Sequence, residues 1–211
     1  MSGPFGLLAR NAAYRRLWLS YFISFAGDWF TLVALVRFIH EATGERQEVG
    51  YLFAIQIFPS LAVGWLAGSV ADRLPRRSVM IACDCVRAAG ALAYLPLMAI
   101  GRVELVLALT LLQHSVTAFF RPAVQASVPH LVEARDLASA GALDGISWSL
   151  GLILGAALGG IAVDHVGVRM SFVIDAATFL ASAALIRGLP LPRVAAAPRA
   201  AAGRSSLREF S

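Results

Sequence analysis

Gly68-Ser69-Val70-Ala71-Asp72-Arg73-Leu74-Pro75-Arg76-Arg77 puts one carboxylate and three guanidinium groups into a short connector between two long apolar stretches. The stretch ahead of it ends at Asp72. If that stretch is a helix, its dipole is negative at this end, and a carboxylate there needs a cationic or hydrogen-bonding partner. Arg73, Arg76, Arg77 or the N-terminus of another helix would serve. The other reading is a solvated turn whose arginines only mark the cytoplasmic side of a membrane.

The sequence around the connector is too apolar for a soluble domain. It is 58% hydrophobic with a mean hydropathy of +0.71, against about 45–50% apolar residues in soluble proteins. Six stretches reach the ~20 residues that span a ~30 Å hydrocarbon core: 17–38, 49–71, 78–100, 103–120, 142–163 and 171–189. The first follows Arg10, Arg15 and Arg16 as a signal peptide would. It is too long for such a leader, carries Asp28 and Arg37, and reads as an uncleaved first helix.

All the basic residues are arginines, and their placement orients the bundle. Arg10, Arg15, Arg16, Arg73, Arg76, Arg77, Arg121, Arg135, Arg187, Arg193, Arg199, Arg204 and Arg208 fall on one side. Only Arg46, Arg102 and Arg169 fall on the other. By the positive-inside rule both termini are cytoplasmic. The expected organisation is a cytoplasmic N-terminal segment at 1–16, a transmembrane domain at 17–189, and a Pro/Ala/Arg-rich cytoplasmic linker at 190–211. A net charge of +5 raises nucleic acid as a partner. The arginines punctuate apolar runs and form no patch, so that partner is not expected. Cys83 and Cys85, two apart on a helix, point away from each other and suit neither a disulfide nor a metal pair. No cofactor or metal is expected.

Polar residues inside the apolar stretches fall in stripes. Ser20, Ser24, Asp28 and Thr31 share one helical face, as do Thr110, Gln113, His114, Thr117 and Arg121. Such residues face a bundle interior or a wet cavity. Gln56, Ser60, Gly64 and Gly68 read as a packing face. Asp84 and Arg87, at i and i+3, read as a pair that neutralises itself. Asp175 lies with Thr178 and Ser182 in the last stretch, in a role left open. Gly151, Gly155, Gly159 and Gly160 line one side of the fifth stretch, a spacing that lets another backbone approach closely. Gly68, Asp72 and Arg77 recur as Gly160, Asp164 and Arg169, each 92 positions on, which supports two inverted three-helix units.

With these residues in view, the chain resembles the major facilitator superfamily of transporters. The connector is similar to that family's signature loop between helices two and three, G-x-L-A-D-R-x-G-R-R. Gly68, Ala71, Asp72, Arg73, Arg76 and Arg77 match; Val70 replaces a leucine and Pro75 a glycine. Proline fixes φ near ~−65° where glycine would permit a positive value, so the turn differs locally. The glycine run resembles the exporters' G-x-x-x-G-P-x-x-G-G, with Ala156 in place of the proline. Gly27-Asp28-Trp29, Phe119-Phe120-Arg121-Pro122-Ala123 and Asp175-Ala176-Ala177-Thr178-Phe179 look similar to the enterobactin-exporter and macrolide-efflux branch. The family's usual arginine early in helix four is missing; Leu111 and Leu112 stand there.

The resemblance implies an all-α membrane protein of six transmembrane helices, built as two inverted three-helix repeats and forming half of a twelve-helix fold. It implies a bacterial inner-membrane efflux transporter that exchanges protons for amphipathic small molecules such as drugs or siderophores. Its partners would be the lipid bilayer, the substrate, protons, and a second six-helix half, covalent or separate. The signature loop, with Gly68, Asp72, Arg73, Arg76 and Arg77, would act as a conformational latch. Eleven residues separate Leu17 from Asp28 and Val103 from His114. At ~1.5 Å per residue both lie about 16 Å into a ~30 Å core. Asp28 and His114 are therefore expected to form a protonatable pair at the midplane, with Ser24, Thr31, Gln113 and Thr117 beside it. The alternative is a truncated or fragmentary membrane protein without transport alone, or one chain of a two-chain transporter. An enzyme is not expected: Gly145-Ile146-Ser147-Trp148-Ser149 fits no serine-hydrolase elbow, and a phosphate-binding loop would need a lysine the chain does not have.

Overall fold

The computed structural model describes residues 3–44 and 46–191, the side chains of 46–48 and 64–73 excepted. All regular structure among them is helical: α1 Pro4–Arg10, α2 Ala12–Thr43, α3 Arg46–Arg73, α4 Arg76–Ile100, α5 Val103–Ser127, α6 Leu137–Leu150 and α7 Ala156–Arg187. Short 3₁₀ turns at Val128–His130 and Ala134–Asp136 join α5 to α6, and a π-helical turn at Gly151–Gly155 joins α6 to α7. Four stretches among the described residues are long and apolar enough to cross a membrane: Ala12–Thr43, Arg76–Ile100, Val103–His130 and Ala134–Arg187. The shorter apolar helix Val49–Val63 lies within α3.

The helices run past the apolar stretches because backbone hydrogen bonding needs no apolar side chain; local capping decides the ends. Asn11 accepts a hydrogen bond from the Tyr14 amide at 2.9 Å and starts α2, five residues ahead of the apolar run. Gly44, with φ 68°, ends α2 in the left-handed conformation that glycine adopts without a steric penalty. The segment ahead of α2 is itself part of the fold. Leu7 of α1 is buried with Tyr14, Val132, Ala140 and Leu143, and Arg10 pairs with Asp136 at 2.5 Å.

The stretches at 142–163 and 171–189 are two arms of one continuous path, 54 residues from Ala134 to Arg187. The break between them is Gly167, at φ 82° and ψ 162°. Side-chain contacts show that the path doubles back there. Gly151, Gly155 and Gly159 meet Phe25, Trp29 and Val33 in ascending order along α2. On the second arm the order reverses: Thr178 meets Gly27, and Asp175 meets Thr31. That break falls in the polar run 164–169 between the two apolar stretches, where the sequence ends one span and starts the next. Within that run Asp164 pairs with Arg37 of α2 at 3.5 Å.

Two apolar clusters mark the ends of the bundle. One gathers Leu17, Tyr21, Val79, Met80, Cys83, Phe120, Ala123, Val124, Ile186 and Leu189. The other gathers Ala34, Leu35, Ile39, Leu52, Tyr94, Val106, Val163 and Phe172. Between them, on α2, α4, α5 and α7, lies a layer of buried polar side chains.

The glycine face of the π turn and α7 brings α2 close. A Cβ on Gly151 would overlap the Phe25 ring and one on Gly155 the Trp29 ring, whereas a Cβ on Gly160 would meet nothing within 4 Å. Gly155→Val is therefore expected to cost about 1–3 kcal/mol through overpacking. Gly160→Val should stay within about 0.5 kcal/mol of the parent. Thermal unfolding of the two variants in detergent separates them.

Candidate functional site

The polar layer is centred on Arg87 of α4. Its side chain is 2% exposed, and one guanidinium nitrogen, Nη2, donates to both oxygens of Asp28 at 2.5 and 2.7 Å. The other, Nη1, donates to Ser24 Oγ at 3.0 Å. The Phe179 ring lies 4.0 Å from the guanidinium carbon and the Phe120 ring 5.6 Å, so the charge is sandwiched as well as paired. Gln113 Nε2 donates to the Arg87 carbonyl at 2.9 Å and fixes α5 against α4. A side chain on Gly90 would collide with Gln113, so only a glycine leaves that amide its place.

Two further carboxylates share the layer. Asp175, 1% exposed, receives the Thr31 hydroxyl at 2.6 Å. Its neighbour Thr178 donates to the Asp175 carbonyl at 2.7 Å and lies 3.3 Å from Oδ1. Asp84 is fully buried, and its Oδ1 stands 3.7 Å from Arg87 Nη1, beyond hydrogen-bond reach. Neither Asp84 oxygen has a hydrogen-bond partner among the described residues. Asp28 differs in that its side chain is 35% exposed, so the layer opens to its surroundings on that side.

Of the residues singled out in the sequence, Asp28, Ser24, Thr31 and Gln113 converge on this layer. Thr117 does not: its hydroxyl donates to the Gln113 carbonyl on its own helix at 3.0 Å. His114 is half-buried on α5 and acts on Asp28 and Arg87 through space. No hydrogen bond joins its ring to Asp28, whose oxygens Arg87 holds. The Asp84–Arg87 pair expected from i, i+3 spacing is present only at 3.7 Å, because α2 brings Asp28 in front of the guanidinium. Arg87 as the hub was missed. The signal available was an arginine in the middle of an apolar helix, which always needs a partner.

Arg121, the last residue of the α5 stripe, lies apart from the layer. It stacks on Trp148 at 5.3 Å and pairs with Asp144 at 3.6 Å, while Trp148 stacks on Phe25. In the connector, the side chains of Asp72 and Arg73 and the surroundings of Gly68 lie outside the described residues. Arg76 is described, and it donates to the Ala126 carbonyl at 2.9 Å, tying the start of α4 to the end of α5; Arg77 is half-buried beside it. A cavity of about 260 Å³ lined by Leu95, Ala99, Arg169, Met170 and Val173 includes none of the layer's residues.

An apolar helical bundle that encloses a layer of charged and polar side chains is consistent with a membrane protein, and comparison with known sequences names its family. The profile of the Major Facilitator Superfamily matches residues 17–211. The chain belongs to the Major Facilitator Superfamily. It is 25% identical over 193 residues to the uncharacterized MFS-type transporter YkuC of Bacillus subtilis strain 168, covering 91% of this chain and 45% of YkuC. It is 24% identical over 172 residues to the uncharacterized MFS-type transporter YfiS of the same organism, covering 80% of this chain and 40% of YfiS. The chain thus spans about half the length of the curated relatives it matches. No solved structure matches it at a significant level. Family membership and the membrane-spanning helices make it a multi-pass membrane protein.

Within this superfamily member, Arg87→Gln is expected to cost about 3–5 kcal/mol, because it removes the cation from buried carboxylates. The double variant Asp28→Asn/Arg87→Gln should recover part of that loss, since both members of the pair then go neutral together. A double-mutant cycle on chemical unfolding in detergent checks it; strict additivity would show that the two groups do not interact.

Proposed function

We propose that the chain is the N-terminal half of a secondary transporter that exports amphipathic small molecules in exchange for protons. The observation that carries this reading is the enclosed charge layer, in which Asp28 is open on one side and joined to Arg87 on the other. A carboxylate at mid-depth in a membrane marks an ion or substrate path, and transporter sites lie near the midplane. Export, and substrates such as drugs or siderophores, rest on the resemblance of the glycine run and of the Gly27-Asp28-Trp29 phrase to exporters. Asp28 takes the coupling role with His114 as a second titratable group near it, and Ser24, Thr31 and Gln113 complete the surroundings.

The six apolar stretches are proposed as two inverted three-helix repeats in a bacterial inner membrane, with both termini cytoplasmic. The doubling back at Gly167 and the 92-residue recurrence favour this arrangement. A second six-helix half, covalent or separate, completes the fold. Asp72, with Gly68, Arg73, Arg76 and Arg77, is proposed as a latch between cytoplasmic helix ends, because in the sequence it falls at the end of an apolar stretch with three arginines in the next five positions.

Topology is tested by cysteines placed at Arg10 and at Glu45 in a background without Cys83 and Cys85. Impermeant thiol reagents should label them from opposite sides of the membrane, and labelling of both from the cytoplasm rejects the orientation. Transport is tested in a protein carrying both halves. Asp28→Asn is expected to abolish pH-dependent efflux, and wild-type efflux in that variant ends its coupling role. In the same assay Asp72→Asn should slow turnover and leave substrate affinity nearly unchanged; lost affinity with normal turnover contradicts the latch.

A further inference from the structure

Arg87 has more carboxylates around it than it can serve. Its Nη2 is committed to both oxygens of Asp28, while its Nη1 lies 3.7 Å from Asp84 Oδ1. Asp84 is 0% exposed and accepts no hydrogen bond. The Ser182 hydroxyl of α7 is the nearest donor to Asp84, close enough for a weak hydrogen bond but outside good hydrogen-bond geometry. An ionised carboxylate in that position would be sealed from solvent with the Arg87 cation only at 3.7 Å, a costly arrangement that a proton on Asp84 would relieve. Asp28 is the reverse case: both its oxygens accept hydrogen bonds from Arg87 Nη2.

The exchange of roles between these two carboxylates needs little motion. Asp84 and Arg87 are i and i+3 on α4, so no helix has to shift. Phe179, 4.0 Å from the guanidinium carbon, is a surface over which the group can pivot while keeping its cation–π contact. Ser24, which accepts from Nη1, sits on the same helix as Asp28 and gives up its hydrogen bond when Nη1 turns to Asp84.

We propose that Arg87 is a two-position switch between Asp28 and Asp84, and that these two carboxylates share a single proton. In the arrangement described, Asp28 is ionised and Asp84 carries the proton. In the other, the guanidinium has turned to Asp84, the Asp84 O–H bond has broken, and a new O–H bond has formed on Asp28. Proton count and net charge are the same on both sides. The exchange therefore moves a proton from a sealed carboxyl to one that its surroundings can reach, where water can take it.

The other groups facing the switch do not compete for these positions. On α2 Tyr21 and on α4 Cys83 are neutral neighbours. On α5 Gln113 is bound to the Arg87 carbonyl, and His114 acts only through space. On α7 Asp175 is met by the Thr31 and Thr178 hydroxyls and acts on Asp28 and Arg87 through space, with no ion pair to Arg87 among the described residues. The use of the switch in transport rests on the proton-exchange reading above; the exchange itself does not.

The test is infrared difference spectroscopy of the full chain in lipid nanodiscs, comparing H₂O with D₂O at neutral pH. The parent should show the isotope-shifted carbonyl band of buried protonated carboxyl groups, and Asp84→Asn should lose a component of it. Asp28→Asn, with Asp84 intact, should lose that same component, because the released guanidinium turns to Asp84 and ionises it. Should Asp28→Asn fail to elute as a monodisperse species, Asp28→Ser gives the same readout. A component unchanged in Asp84→Asn, or one that survives removal of Asp28, overturns the switch. Loss of the component together with wild-type pH-dependent efflux in Asp28→Asn would leave the switch standing and reject the transport role.

Discussion

A guanidinium enclosed in an apolar bundle must be paired on the spot, and the fold is arranged so that it is. Arg87 draws on every long helix except α3. Asp28 and Ser24 come from α2, Asp84 from its own helix, Gln113 and Phe120 from α5, and Phe179 from α7. Helix association in a membrane lacks the hydrophobic drive available in water, so packing and polar contacts between helices supply the specificity. A charge that needs partners from three other helices sets their rotation and height far more tightly than apolar contacts can.

The remaining architecture serves that layer. Aromatic side chains of α2 settle into the notches left by Gly151 and Gly155, and Gly27 in turn leaves room for Asp175 and Thr178. These close approaches hold α2 against both arms of the path from Ala134 to Arg187. The apolar clusters at either end keep the polar layer away from the ends of the bundle, leaving Asp28 as its partly open member. At one end α1 is fastened by Leu7 and by the Arg10–Asp136 pair, so the 3₁₀ turns between α5 and α6 are held to the start of α2.

The half-open, half-sealed arrangement has a chemical consequence. Two acidic groups of one type, 56 positions apart in the chain, come to lie beside the same cation in opposite conditions of solvation. Different environments for like groups are how proteins separate the roles of donor and acceptor.

Membrane character, helical class, the arginine asymmetry and the family resemblance were all legible in the sequence, because each depends on composition or on short-range spacing. Asp28, Ser24, Thr31 and Gln113 were legible as polar positions on helical faces for the same reason. Which of them meet was not. The i, i+3 rule pointed Arg87 to Asp84, since spacing along one helix carries no information about what a second helix brings. His114 matched Asp28 in depth but not in contact, because depth fixes only one of the three coordinates. The turn between the last two apolar stretches was legible, because the polar run at 164–169 separates them; that one positive-φ glycine makes it was not. Local chemistry thus determined what each helix is, and only the tertiary structure, by setting relative rotation and height, decided which carboxylate the arginine holds.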